Sequence, residues 1–326
     1  MIDYTIIVPT HNSASYLPRL LSSIPRSPQV EVIVVDDHSD PENALETRHL
    51  VEQSGLSNAS YVLNPGKKGA GAARNVGIER ARGKWVVFAD SDDYFTPYFQ
   101  EAMIQYRNSS AGTVIFRMDT APNTNGISRT THLEALFQQN DVNNIGYSTA
   151  SLVSRFIKLS VIQDHGLRCS ETIVENDRYL SVTSYFFAGE RIADSNVIYL
   201  TTIRSGSLAN HRQSLEELIA RAQVRADVSD FLIAHLDGKE KYRIVPAQGN
   251  LWMTALLAVG PKGVMKVAAT CYGHHMPITH RKLREIPGAF RRWISQSRTG
   301  FSMTQDYLGS IDPGDPDDTV VPNGTG

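Results

Sequence analysis

The sequence predicts an α/β fold, a mostly parallel sheet with helices on both faces, followed by a mainly helical C-terminal region. Three observations lead there. Through the first hundred residues, short β-branched and aromatic runs alternate with stretches of helical apolar spacing, the pattern of repeated βα units. Two acidic clusters, Asp36-Asp37 and Asp90-Ser91-Asp92-Asp93, each follow such a run directly. From Ser214 onward the strand signals give way to helical periodicity. Open sheets of this kind bind ligands beyond the carboxyl ends of their strands, so both acidic clusters fall where a ligand would sit.

The elements follow in order. Tyr4–Val8 (YTIIV) is a first strand closed by Pro9, and Leu17, Leu20, Leu21 and Ile24 then recur at helical spacing. Pro18 falls in that helix's first turn, where a missing N–H is tolerated. Val30–Val35 (VEVIVV) is a second strand, a helix runs from Glu42 to Gln53, and Tyr61-Val62-Leu63 is a third strand. Gly69–Arg82 is helical after a glycine-rich entry, with Gly83 as its stop. Trp85–Ala89 (WVVFA) is a fourth strand. Residues 110–208 mix the strands Thr113–Met118 and Asn196–Leu200 with helices around 150–162 and 177–188. The expected organisation is a catalytic domain over 1–210, a helical region over 211–300 and a disordered tail over 301–326, rich in Pro, Gly and Asp near its end.

Composition narrows the function. With 326 residues the chain has room for two domains, and 41% hydrophobic against 20% charged residues is an ordinary globular balance. A net charge of −2 argues against a nucleic-acid partner, because a phosphate backbone demands a basic excess. Cys169 and Cys271 have no metal-type spacing and read as small buried hydrophobes. The first strand begins almost at Met1 and no apolar run approaches a membrane span. The expectation is a cytoplasmic protein, at most peripheral to a membrane surface.

Asp90-Ser91-Asp92 carries the central chemical signal. Two carboxylates one residue apart, past a buried strand, can reach a hard divalent cation and the hydroxyls of a nucleotide. Mn²⁺ or Mg²⁺ needs few protein oxygens when a diphosphate completes its shell. A solvated acidic turn has the same appearance, so the neighbouring motifs decide. Val8-Pro9-Thr10-His11-Asn12, Val34-Val35-Asp36-Asp37-His38-Ser39, Gly71-Ala72-Ala73-Arg74-Asn75-Val76-Gly77 and Phe88-Ala89-Asp90-Ser91-Asp92-Asp93 occur in this order. Together they resemble the inverting glycosyltransferases of family 2, which have the GT-A fold, Rossmann-like and built for nucleotide-diphospho-sugars. The resemblance spans roughly residues 3–208 and is densest before residue 97.

It implies a role for each motif. Pro9, Thr10 and Asn12 would border the base and ribose, and Asp36 or Asp37 would accept the imide N–H of uracil, making the donor a UDP-sugar. An ionised carboxylate suits that task because it only accepts; helix capping by Asp37 or Ser39 is the plainer alternative. Gly71 would let backbone approach closely, and Arg74 would meet phosphate or ribose oxygens or orient Asp90. Asp92, with Asp90, would hold the metal, and Ser91 lies between them. Lys67 and Lys68 read as a solvated loop.

Glu175-Asn176-Asp177 resembles the family's Glu-Asp pair, with Asn176 where the glutamate usually stands and Leu180 three residues past Asp177. Asp177 is the expected general base, and Glu175 is the alternative in a shifted register. Arg204 and Ser207, in Ile203-Arg204-Ser205-Gly206-Ser207-Leu208, are similar to the family's segment beside the diphosphate. His274 and His275 are either surface histidines or a distant metal ligand. The basic stretch from Arg281 to Arg298 fits a membrane surface, an anionic polymer or a solvated helix. The implied acceptor is a glycan, lipid-linked or other hydroxyl, with the helical region shaping its site or a homo-oligomer interface.

Overall fold

The computed structural model describes residues 1–121, 137–138, 142–148, 151–202, 213–237 and 249–276. Its sheet contains β1 (Tyr4–Thr10), β2 (Val30–Asp36), β3 (Ala59–Leu63), β4 (Trp85–Phe88), β5 (Tyr94–Phe95), β6 (Thr113–Thr120), β7 (Arg155–Lys158) and β8 (Arg191–Thr201), in the order β3-β2-β1-β4-β7-β6-β8-β5. β3, β2, β1 and β4 are mutually parallel, with Thr10 level with Asp36 and Asp36 level with Leu63. β7 runs antiparallel to both β4 and β6, β8 is parallel to β6, and β5 is antiparallel to β8.

Every residue of β1, β2 and β4 is buried, which explains why these strands read as unbroken apolar runs. Period-two alternation still sorts their side chains between the faces. Ile6 and Val8 point into a core with Leu17, Leu20 and Leu21 of α1 (Leu17–Ser23) and Phe99 and Met103 of α4 (Tyr98–Tyr106). Ile7, Val86 and Phe88 face the other way, toward Ile78 of α3 (Ala70–Arg80). Gly77 lets α3 lie close to β1, since a Cβ there would fall 2.4 Å from Ile7 Cγ2. α2 (Pro41–Glu52) packs beside α1 and β3.

Among the described residues of the second half, one expected helix is absent. A helix was expected around 150–162, but Arg155–Lys158 is β7, followed by only the short α6 (Leu159–Asp164); α5 (Val142–Ser148) precedes them. The wedge is Ser154, whose φ of 63° breaks any helix there and whose hydroxyl bonds to Phe116 O and Arg117 O on β6. Pairing with β4 and β6 on both sides then overrides local helical propensity. α7 (Arg178–Phe187) follows as expected.

The helical region is present as α8 (Leu215–His235), α9 (Gly249–Ala258) and α10 (Pro261–Cys271). Ser214 and Glu217 close a reciprocal capping box at the start of α8. α8 serves two cores. Val228 and Leu232 join the sheet core, while Leu218, Ala222 and Ala226 pack with Leu251, Ala255, Val267 and Cys271. Phe231 and His235 stack against each other, with Phe186 and Phe187 edge-on to both. Cys169 and Cys271 are buried free thiols. Among the described residues no helix is long and apolar enough to cross a membrane. The 210/211 boundary, the tail over 301–326 and the basic stretch over 281–298 lie outside the described residues.

Candidate active site

The carboxyl edge of the parallel strands gathers most of the expected site. At the end of β1, Thr10 is buried and its Oγ1 has no hydrogen-bond partner. Pro9 is the last-but-one residue of that strand. Asn12 adopts a left-handed φ of 48° and ties this loop to the next. Its Nδ2 donates to Asp40 Oδ2 at 3.0 Å, its Oδ1 accepts Asp40 N–H at 2.8 Å, and its own N–H donates to Ser39 Oγ at 3.0 Å. Asn12 therefore sets the spacing of the two loops that would flank a base.

The Asp36-Asp37 pair divides its work. Asp36 Oδ1 accepts Ser39 N–H at 2.8 Å, and its Oδ2 accepts the Tyr61 hydroxyl at 2.9 Å. Asp37 turns toward α3, taking Gly69 N–H at 2.8 Å and Asn64 Nδ2 at 2.7 Å. Asp37 thus fixes the residue that precedes α3, and neither α2 nor α3 carries a side-chain cap. Asn64 also holds Gly66 N–H and Lys67 O, so it organises the whole glycine-rich entry. Lys67, expected in a solvated loop, donates to Glu171 O at 2.9 Å.

Gly71 and Arg74 join this entry to the second half of the chain. A Cβ on Gly71 would lie 2.1 Å from Ser170 O, so the close approach its glycine permits is to the 170–176 loop. One turn on, Arg74 donates through Nη2 to Asp90 Oδ1 at 2.6 Å and through Nη1 to Asn176 Oδ1 at 2.5 Å. Burial opposes its charge, but Asp90, Cys169 and Asp177 outweigh that, and Arg74 is held above its ordinary pKa.

Beyond β4 the acidic turn is crowded. Asp90 exposes 43% of its side chain and its N–H donates to the Tyr199 hydroxyl at 2.8 Å. Asp92 is partly exposed, Ser91 is buried under the turn, and the Arg19 guanidinium binds Asp92 O and Thr202 Oγ1. Asp93 lies behind them, accepting Thr202 N–H at 2.6 Å. Burial, then the charges of Asp90 and Asp92, pushes its carboxyl up to about 8. Three carboxyl groups on four residues crowd this turn, and the charge on Asp90 and Asp92 is what a divalent cation would relieve. Among the described residues no set of three or more His, Cys, Asp or Glu side chains forms a metal cage. The donor set suits a cation arriving with a diphosphate that supplies the remaining oxygens, and Asp92 and Asp90 are the side chains that would face it.

Asp177 is the N-cap of α7, yet its side chain makes no capping bond. Burial raises its pKa, and the Arg74 charge pulls it partway back. Glu175 points elsewhere. Its carboxylate accepts Arg178 Nε at 2.9 Å, Arg221 Nη1 at 2.9 Å and Arg225 Nη2 at 2.6 Å. Burial alone would raise its pKa, but these arginines hold it well below the usual carboxylate range. An acceptor so saturated is a poor proton acceptor, which leaves Asp177 as the base candidate of the two.

One expected feature falls elsewhere. His274 and His275 both bind Asp230 through Nδ1, at 2.7 and 3.0 Å, joining the end of α10 to α8. Arg204 and Ser207 lie outside the described residues. Sequence reading missed Arg19, Asn64 and Tyr199. Asn64 follows β3 as Asp37 follows β2 and Asp90 nearly follows β4, so the strand-end rule had the means to find it; Arg19 and Tyr199 carry no such mark.

Residues 5–166 match the family model described as glycosyl transferase family 2. A poly(ribitol-phosphate) β-N-acetylglucosaminyltransferase, TarS of Staphylococcus aureus, is 24% identical over 212 residues, 63% of this chain and 36% of the relative. An uncharacterized glycosyltransferase of Haemophilus influenzae is 38% identical over 103 residues, 31% of this chain. The matches span about a third of the length of these two curated relatives, 36% and 33%. In structure, S. aureus TarS 1–349 in complex with UDP-GlcNAc superposes with a TM-score of 0.64 at 20% identity, covering 82% of this chain and 79% of that one. The sheet order, the strand-end acidic turn and these likenesses agree: the chain belongs to glycosyltransferase family 2 and has the GT-A fold.

Proposed function

We propose that the protein is a metal-dependent, inverting glycosyltransferase that moves a hexosyl or N-acetylhexosaminyl group from a UDP-sugar to an acceptor hydroxyl. The observation that carries this reading is the Arg74 bridge. One guanidinium joins Asp90, on the side where a diphosphate and its cation would sit, to Asn176, the neighbour of the candidate base Asp177. A donor subsite and a proton acceptor are thereby fixed to the same buried charge.

In the proposed reaction Asp177 accepts the proton of the acceptor hydroxyl as its oxygen attacks the anomeric carbon. The bond from that carbon to the diphosphate oxygen breaks in the same displacement, so configuration inverts. Mn²⁺ or Mg²⁺ held by Asp92 and Asp90 would supply neutralisation of the charge developing on the leaving diphosphate. Pro9, Thr10, Asn12 and Asp36 or Asp37 would receive the uridine, with Asp36 using the lone pairs left after Ser39 and Tyr61 are served. Gly71, Ser91, Arg204 and Ser207 complete the proposed donor site. The likeness to TarS, whose structure holds UDP-GlcNAc, supports UDP as the nucleotide. That relative's poly(ribitol-phosphate) acceptor supports a role in cell-surface glycan synthesis. The segments 1–210 and 211–300 are proposed to divide between donor chemistry and acceptor or oligomer contacts. Incubation with a panel of UDP-sugars and Mn²⁺ tests the proposal: UDP should be released from one or a few of them, and release from none would refute it.

A further inference from the structure

Glu175 stands two residues before the candidate base and outside the proposed chemistry, yet it is among the most heavily bonded side chains near the site. We infer that Glu175 is a positioning residue, through which Arg221 and Arg225 of α8 set the placement of Asp177; this rests on Asp177 being the base.

The geometry is specific. Glu175 has a left-handed φ of 51°, a conformation that residues with a Cβ adopt rarely. Both carboxylate oxygens are occupied. Oε1 takes Arg221 Nη1 at 2.9 Å and Arg225 Nη2 at 2.6 Å; Oε2 takes Arg178 Nε at 2.9 Å and Arg225 Nε at 3.0 Å. Arg225 therefore grips it as a fork, the geometry that fixes direction as well as distance. The Glu175 carbonyl also accepts Arg178 N–H at 3.2 Å, starting α7.

The next residue is held from the opposite side. Asn176 O accepts Ser170 N–H at 2.8 Å, and Asn176 Oδ1 receives Arg74. Asp177 follows, with no capping bond of its own. The position of its carboxylate is thus dictated by its neighbours, clamped by α8 at residue 175 and by α3 at residue 176. Three guanidinium groups around one carboxylate, each side chain only 10–13% exposed, make a costly arrangement if stability were its sole purpose. Desolvating such charges commonly offsets their attraction. A strained backbone held by neighbouring structure is a recurrent device for pre-organising a reactive group.

The test uses the full chain with the UDP-sugar it turns over fastest, and counts folded sites by the stoichiometry of UDP binding in calorimetry. Glu175→Gln should lower kcat per UDP-binding site about 10- to 100-fold, the usual cost of a small misplacement, with UDP affinity within about twofold. Arg225→Lys, which keeps the charge and loses the fork, should fall between it and the wild type. The double variant Glu175→Gln/Asp177→Asn should be no slower than Asp177→Asn alone, because a misplaced base has little left to lose. A kcat per site within about twofold of the wild type for Glu175→Gln would overturn the inference, as would losses that multiply in the double variant. Should Glu175→Gln not fold, Arg225→Lys is judged by the same two criteria. Retained turnover in Asp177→Asn would instead defeat the base assignment itself, whatever Glu175→Gln does.

Discussion

Arg74 and Asp90 form a 2.6 Å ion pair in which the cation is buried and the carboxylate is 43% exposed. The same cation lowers the pKa of Asp177, which burial raises. Arg74→Gln removes both effects. A base works only when ionised, so a higher pKa means that activity fails at a higher pH as the solution is acidified. The acid limb of the kcat–pH profile should therefore move upward in Arg74→Gln. An unmoved limb, or one shifted to lower pH, would contradict the electrostatic coupling.

The acidic turn predicts metal dependence. EDTA should abolish transfer by the wild type and added Mn²⁺ should restore it. Asp92→Ala should lose about 10²–10³-fold in kcat, the scale of removing one element of charge stabilisation. Mn²⁺ should strengthen UDP binding to the wild type and not to Asp92→Ala. Near-native turnover by the variant in EDTA-free buffer would remove Asp92 from the metal assignment.

Gly71 predicts a steric effect. Its absent Cβ would stand 2.1 Å from Ser170 O and 3.0 Å from the Asn176 Cβ. Gly71→Ala must push the 170–176 loop outward, and overpacking of this kind costs about 1–3 kcal/mol. Urea unfolding should register that loss together with weaker activity, since Asn176 is also the Arg74 partner. A change within about 0.5 kcal/mol would mean that the loop yields freely.

Much of this was legible before any coordinates. The all-buried strands β1, β2 and β4 announced themselves as unbroken apolar runs, and a parallel sheet places their ends on one edge. That single rule put the acidic clusters Asp36-Asp37 and Asp90-Ser91-Asp92-Asp93 on one edge. Asn12, Arg74 and Asp177 came instead from the resemblance to family 2, whose motifs they occupy. What stayed hidden depends on contacts distant in the chain. The Asp37 carboxylate accepts Gly69 N–H and Asn64 Nδ2, both about thirty residues on. Gly71 reads as a point of close backbone approach, but that Ser170, almost a hundred residues on, lies there is not legible in the sequence. β7 reads as helix in the sequence because four residues pairing with two remote strands leave little local signal. The saturation of Glu175 needed α8, whose arginines look from the sequence like an ordinary solvated helix face.

Nucleotide selectivity follows from the strand-two loop. UDP should bind more tightly than GDP by about tenfold, roughly the 0.5–1.5 kcal/mol of one well-made hydrogen bond. Asp36→Ala should erase that preference while also freeing Tyr61 and the Ser39 N–H. Asp37→Ala should instead act through the entry of α3, weakening both nucleotides alike. Equal affinity of the wild type for UDP and GDP would rule out uracil recognition here.

The central claim is that Asp177 removes the acceptor proton. Asp177→Asn keeps the shape of the side chain and takes away its basic oxygen, so single-variant kinetics read the claim most directly. Loss of a positioned general base costs about 10²–10⁴-fold in rate. The account predicts a fall of that size in kcat for Asp177→Asn, with UDP affinity measured by calorimetry within about twofold of the wild type. Turnover within a few-fold of the wild type, at unchanged UDP affinity, would contradict it.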